Sequence, residues 1–537
     1  MTYRVSSVAL RASCVAAVVF SLGVGAAFAQ SWTYSNGILT GEDGMKLTAT
    51  LSKGEVSVTG ISDRGTLTTI DLRGIVTDAD TEAIYTIVSA KDIKYSGLKE
   101  LYIPETLRYL GSFDGCSTLE KVEPMFPAAL TGFESYTFRN CSKLKGDVKF
   151  VNPSFTKTAY SMFEKSGINS VDFSGCTLTT LDSWFCNGCT SLTNVTPFLP
   201  STLTSMGNSV FGGCTKLPGK LVLGNPSLKA IPDSMINSTL ITSVDIGESP
   251  IETVGSSAFY NCYSLTNMTP LLPPTVKSIG GSAFRGCSSL TNALVLSNPN
   301  LTVLNDQTFN YCRKIPSVNL TGTAITTIGS YCFQECDSCK DFRPLLPDTV
   351  KTIGAGAFSK LPATNFIYLS SSLTMTTMPS IFGSCACAGI DMSQTKITTF
   401  NTGCFQYAGF KKVLLPPTTD NIGYDAFRGI NASQGIFFCG PPPSTIHQRA
   451  FIGIGNASTI QGSYVFPREY KAEWEEYVAN DPCLATTLTA AEQAKFNIPG
   501  LRKPKQKLRM NKNQSDSYNF YLCWWWMKPP GMMMLVR

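Results

Sequence analysis

Apolar residues along the chain recur with a period much longer than that of a helix or a strand. Phenylalanines at 113, 138, 163, 185, 211, 259, 284, 309, 333, 358, 382, 405, 427 and 451 stand 22 to 26 residues apart, and Met235 fills the gap between 211 and 259. Each unit carries a short alternating run such as VDIGE, LVLSN or VNLTG, then V/L-x-x-I-G as in VKSIGGSAF, then F-x-x-C-x-x-L leading into the next run. Alternation by two predicts a short strand with one buried face. One such unit cannot bury that face alone, so stacked neighbours must supply the core. The pattern therefore predicts a solenoid of about 15 coils, which at a strand spacing of roughly 4.8 Å is about 70 Å long.

A second period lies over the first. EPMFP, TPFLP, TPLLP and RPLLP place Pro124, Pro197, Pro270 and Pro344 at spacings of 73, 73 and 74, so every third coil is of one subtype. Proline donates no hydrogen bond to a ladder, which predicts strand starts or bulges at these sites and excludes paired strand centres.

The flanks differ in texture. Residues 1–29 read as a signal peptide: Arg4 and Arg11 flank an apolar run, and Ala27 and Ala29 give an A-x-A cleavage pattern before Gln30. Residues 30–97 alternate like strands (KLTATLSKGEVSVTG, TLTTIDLRGI) and predict an N-terminal cap with a degenerate first coil. The solenoid is expected over 98–466. A C-terminal cap is expected over 467–500, its helix in PREYKAEWEEYVAND; 501–537 read as a basic linker and an apolar tail too short to span a membrane.

Charge narrows the partner. The formal net charge is +6, but 501–537 carry +7 and 1–29 carry +2, which leaves 30–500 at −3. A nearly neutral body gives nucleic acid no electrostatic hold, and membrane contact is expected only through the tail. Export places the cysteines where disulfides are permitted.

Little in the sequence suggests chemistry. The single histidine, His447, sits in PPPSTIHQ, whereas nucleophilic catalysis needs a base and an orienting group beside the nucleophile. Aligned in register, the outward strand positions read Tyr102, Lys149, Asp172, Thr196, Val222, Asp245, Thr269, Val295, Asn319, Arg343, Tyr368, Asp391 and Leu414. Asp172, Asp245 and Asp391 follow the three-coil subtype, about 15 Å between nearest equivalents. Glycosidase carboxylates sit roughly 5 to 9.5 Å apart. The ladder suits a repetitive partner better than a reaction.

The cysteines sort by position. Cys116, Cys141, Cys189, Cys214, Cys262, Cys287, Cys312, Cys336 and Cys385 occupy the F-x-x-C slot, where other coils carry Ser166, Ser238, Leu361, Ala408, Ile430 or Ile454. Small and apolar substitutes suit a packing slot and not a metal ligand, so these nine are expected as structural buried thiols. Cys176, Cys186, Cys332, Cys339, Cys387, Cys404 and Cys439 are the better disulfide candidates. No metal and no cofactor is expected.

The coil text SLTNMTPLLPPTVKSIGGSAFRGCSSL (264–290) resembles the BspA-like leucine-rich repeat family, with two extra residues at the strand; GPPPSTIHQRAF and REYKAEW resemble the way such arrays end. The resemblance covers about 98–466. It implies an α/β repeat, a leucine-rich repeat solenoid with short parallel strands on one face and loops or short helical turns on the other. It also implies a location on, or secretion from, a microbial cell and a role in adhesion to host proteins or other cells. No LPxTG-type anchor motif is visible. The expected function is protein–protein or cell adhesion by a non-enzymatic, exported protein. Its expected ligand is an extracellular protein or glycan, on host matrix or another cell, met by Tyr102, Lys149, Asp172, Asp245, Asn319, Arg343, Tyr368 and Asp391. A self-associating structural protein of the cell envelope and, more remotely, a carbohydrate-active enzyme are the alternatives.

Overall fold

A computed structural model describes residues 30–296, 298–343, 346–363, 365–447, 449–451, 463–480, 484–487, 506–509 and 520–525. The expected signal peptide, Pro344, Cys483 and most of 501–537 lie outside the described residues.

The chain winds into a stack of about fifteen turns, each with three edges. A front strand such as Ser170–Asp172 is followed by a rear strand such as Thr180–Leu181, and then by a tight ridge turn carrying the F-x-x-C segment. Front strands pair in parallel with front strands and rear with rear. The middle residue of each front strand is buried and its neighbours face out, as alternation requires.

Phenylalanine at the ridge turns inward and builds a column through the stack. Phe259, Phe284, Phe309, Phe333, Phe358 and Phe382 follow one another at ring separations of 5.1 to 5.8 Å and within 11° of parallel. All are fully buried. Such offset pairs add about 0.5–1.5 kcal/mol each beyond burial. The turn that presents the ring needs left-handed backbone, taken by Gly213 and Gly286 in some coils and by Asn140 and Asn261 in others.

The N-terminal cap is an antiparallel meander of Trp32–Ser35, Ile38–Gly41, Lys46–Ser52 and Glu55–Asp63. Ile84–Ala90 joins it in parallel and carries the sheet into the rear strands Tyr109–Leu110 and Gly132–Phe133. The front ladder starts at Thr69–Asp71, inside the stretch expected to hold a degenerate coil. At the far end, Arg468–Tyr470 and helix Lys471–Asn480 place Trp474 against Phe466 at 4.2 Å and Phe438 at 4.8 Å, its indole N–H donating to the Gly440 carbonyl. Two stretches of the tail expected as linker and apolar end are strands: Phe520–Trp525 pairs in parallel with Ser463–Pro467, and Gln506–Arg509 pairs with Phe520–Trp525. The last front strand offers an open edge, and tail backbone satisfies it irrespective of the charge on its side chains.

The three-coil period has a structural meaning. The front strands do not form one sheet. They form separate sheets of three: Thr69–Asp71 to Lys121–Glu123, Asp147–Lys149 to Asn194–Thr196, Pro218–Val222 to Asn267–Thr269, and Leu294–Val295 to Asp341–Arg343; a fourth break precedes Phe366–Tyr368. Within a sheet, the residue after a front strand donates its N–H to the last strand carbonyl of the next coil. Phe173 donates to Thr196, Ile246 to Thr269 and Leu320 to Arg343, at 2.7 to 2.9 Å. At a break that residue is Pro124, Pro197 or Pro270, which has no N–H to give. These prolines thus directly follow a strand, which corrects the expectation of strand starts: the missing donor stops propagation to the next coil.

The rear ladder breaks at the same seams. Gly255, Gly280, Gly329 and Gly354 donate N–H to Ile231, Val254, Leu304 and Ile328 within blocks. At two seams the equivalent residue is Pro232 or Pro379, and at a third Asn305 reaches the Ile279 carbonyl with its side chain instead, at 2.6 Å. Only the ridge ladder continues unbroken: across one seam Ser209, Phe211 and Gly213 still donate to Asp233, Met235 and Asn237 at 2.8 to 2.9 Å.

Asparagine side chains bridge the gaps. Asn225 and Asn298 are 4% exposed and donate to the carbonyls of Leu203 and Val276 in the preceding block, Asn225 also reaching Ser201. Asn152 does the same to Leu130 at 3.2 Å. Asn225→Ala strands the buried Leu203 carbonyl, and the expected cost in a denaturant titration is about 1–3 kcal/mol. A change below about 0.5 kcal/mol contradicts the bridging role.

Candidate binding face

The parallel register lines the expected outward residues into rows: Asp71, Tyr102, Glu123; Lys149, Asp172, Thr196; Val222, Asp245, Thr269; Val295, Asn319, Arg343; and Tyr368, Asp391, Leu414. They share one face. They are not equally available on it.

Tyr102 is half-buried and already engaged. Arg73 lies 4.2 Å and Lys121 4.9 Å from its ring, and its hydroxyl donates to Glu100 at 3.1 Å. The acidic series has a local task as well. Asp172 accepts the Ser174 N–H, Asp245 that of Gly247, Asn319 that of Thr321 and Asp391 that of Ser393, at 2.8 to 3.1 Å. Each is the first residue of an Asx-turn that ends the second front strand of its sheet, which accounts for the three-coil recurrence. Hydrogen bonds from Ser174 hold the Asp172 carboxyl below its ordinary range, and Lys220 at 2.8 Å does so for Asp245.

Three of the expected residues lie on successive coils: Tyr368 pairs with Asp391, and Arg343 ends the front strand of the coil before them. Tyr368 is 66% exposed and the Arg343 side chain 74%. Lys149 is exposed beside Asp172, nine front strands before Tyr368.

Around this trio stand residues that the sequence reading passed over. The first residue of each front strand faces the same way as the third, because alternation by two returns to the same side. That adds Phe366, Asp341 and Lys412. The Phe366 ring lies 4.9 Å from Tyr368, Asp341 pairs with Arg343 at 2.6 Å, and Lys412 sits 5.1 Å from the Phe437 ring. Gly389 makes room: a Cβ there would fall 2.5 Å from Phe366 Cε2. The alternation by two carries this signal, since it gives a three-residue strand two outward positions.

The cysteines do chemistry of a modest kind. The sixteen cysteines from Cys116 to Cys439 are free, including those favoured for disulfides, and all but Cys176 are buried. Along the ladder the thiols donate to backbone carbonyls of the preceding coil: Cys141 to Phe113, Cys189 to Phe163, Cys214 to Cys186, Cys262 to Ile236, Cys287 to Phe259, Cys312 to Phe284 and Cys336 to Phe309, at 2.9 to 3.3 Å. Burial pushes the Cys262 thiol up to about 11 and Cys332 up to about 12, and raises Cys287 and Cys312 well above the ordinary value of 9.0.

His447 accepts the Arg449 N–H at Nδ1 and packs its ring 5.0 Å from Tyr424, at the last turns of the stack. No group of three metal-ligating residues occurs among the described residues, and no helix there is long and apolar enough to cross a membrane.

The sequence model described as "BspA type Leucine rich repeat region" matches in six copies, over 86–218, 180–272, 229–344 and 326–458. Among solved structures, the chain is similar to a leucine-rich repeat protein from Bacteroides ovatus (20% identity, 79% of this chain and 94% of that one, TM-score 0.44). It is also similar to a leucine rich cell surface protein from Faecalibacterium prausnitzii (18%, 80% and 98%, TM-score 0.37) and to the pneumococcal vaccine antigen PcpA (12%, 82% and 96%, TM-score 0.34). No curated protein matches the sequence.

The thiols set a pH dependence. A thiol titrating near 9 when unfolded and near 11 when folded binds more protons in the folded state across that interval, so stability is full below pH 9 and is lost as pH rises towards 11. Under reducing conditions the denaturation midpoint should hold from pH 6 to 8 and fall between pH 9 and 11. A Cys262→Ala variant should show a shallower fall; an identical slope excludes Cys262 as a contributor.

Proposed function

The chain belongs to the BspA-type leucine-rich repeat family, and from that premise we propose that it is a non-enzymatic binding protein of the cell surface or extracellular space. It engages an extracellular protein or glycan, on host matrix or another cell, through the front face of its solenoid.

The observation that carries this reading is the set of Arg343, Phe366, Tyr368, Asp391 and Lys412 on successive coils of one face, which includes the most exposed described aromatic and an exposed arginine. Tyrosine and arginine supply most of the energy at protein interfaces, because each combines large contact area with hydrogen bonding. The Phe366–Tyr368 contact and the space over Gly389 fix that cluster before a partner arrives, which lowers the entropy lost on binding. Lys149 and the Asp172, Asp245 and Asn319 rows extend the contact as weaker, rim-like positions, and Tyr102 contributes through its Arg73–Lys121 cluster.

A non-enzymatic role rests on how the polar groups are spent. His447 serves its own turn, and the recurring carboxylates each terminate a strand in a different block. Export rests on the A-x-A segment at 27–29 and makes residue 30 the start of the mature chain, with 30–97 and 467–500 as caps to the 98–466 array.

Arg343→Ala combined with Tyr368→Ala should weaken binding to a captured matrix protein or glycan at least tenfold in surface plasmon resonance, with the melting temperature unchanged. Unaltered binding by a partner-competent preparation places the contact elsewhere on the molecule.

A further inference from the structure

We propose that between Asp147–Lys149 and Phe366–Tyr368 the solenoid is mechanically divided into three-coil blocks of about 73 residues, joined by seams that bend about the ridge and confine unravelling under tension to one block at a time.

Three observations converge on the same junctions. The front ladder stops after Glu123, Thr196, Thr269 and Arg343, and the rear ladder stops after Met206, Ile279 and Ile353. The front stops have a covalent cause at Pro124, Pro197 and Pro270, and the rear stops at Pro232 and Pro379, none of which offers an N–H across the gap; after Ile279 the rear ladder stops at Asn305, whose side chain reaches the carbonyl in place of its N–H. The residues that end the first front strand of successive blocks, Lys149, Val222, Val295 and Tyr368, stand 73 apart without deviation.

What remains at a seam is one-sided. The ridge donates across all four: Phe138 to Met162, Phe211 to Met235, Phe284 to Thr308 and Phe358 to Ile381, at 2.7 to 3.0 Å. Elsewhere the connection rests on isolated bonds, such as Thr291 N–H to Thr266 and Thr374 N–H to Lys351 at 3.0 Å, and on the side chains of Asn152, Asn225, Asn298 and Asn292. An edge with a continuous ladder beside two edges without one is a hinge. A stacked array is stabilised by nearest-neighbour interfaces, so the weakest interface sets where it parts.

Force spectroscopy on the full chain held at its two ends tests this. Release in steps of about 73 residues, roughly 24–26 nm of extended chain at 3.3–3.6 Å per residue, is the expected result. Steps near 8 nm would show single coils parting independently, and one step for the whole array would show no seams; either overturns the proposal. Asn298→Ala, which leaves every intra-block ladder intact, should lower the force of one step and leave its length unchanged. A shortened step would equally reject the block as the unit.

Discussion

A backbone N–H that leaves one coil must be received by the next, and the rest of the structure follows from where that transfer succeeds or fails. Each coil bonds to itself only in tight turns, such as Cys287 N–H to Phe284, so the amide groups of its strands and ridge look to its neighbours. Where the donor exists, front and rear strands propagate in register and carry the outward side chains into rows. Where proline replaces it, propagation stops on that edge. The phenylalanine column and the thiol ladder lie near the ridge, the one edge that is never interrupted, which is consistent with the ridge holding successive blocks together.

The thiols show how a packing position acquires a chemical preference. Phe259 and Phe284 already receive one backbone N–H each through their carbonyls, from Cys262 and Cys287, and a second weak donor from the following coil fits the remaining lone pair. Cysteine supplies that donor with little more volume than alanine. Leu361, Ala408 and Ile430 show that the slot tolerates a side chain without it, because the carbonyl is not left wholly unpaired. A carbonyl with one donor already in place loses only part of its hydrogen bonding when the thiol is absent.

Much of this was legible in the sequence, for a physical reason. A stack repeats one environment many times, so the position of Phe284 or Val244 is stated again in each coil, and the outward row from Tyr102 to Leu414 could be aligned by eye. What recurs once per block was harder to read. Asn152, Asn225 and Asn298 also stand 73 apart, but a polar residue in a turn looks solvated until the seam beside it is known. The prolines were visible while their place at strand ends was not, since the run TPLLP does not reveal which residue is last in the ladder. The acidic series was read as a surface feature when its first demand is the Asx-turn. The tail strands Gln506–Arg509 and Phe520–Trp525 answer an open edge, a need that composition cannot display.

The two functional ideas meet at one place. Arg343 is the last residue of the front strand in a closing coil and Tyr368 belongs to the first coil of the next block, so the cluster on the front face straddles a seam. The ridge lies away from that face, so bending about it changes the distance between Arg343 and Tyr368 far more than the distance between Tyr368 and Asp391, which one continuous ladder holds. A partner that contacts both sides of the seam therefore binds one bend angle better than others and, by linkage, resists the opening of that seam. Contacts confined within a block, such as Lys220–Asp245, carry no such coupling. The same missing proline N–H that divides the array thus determines which part of its face can sense tension.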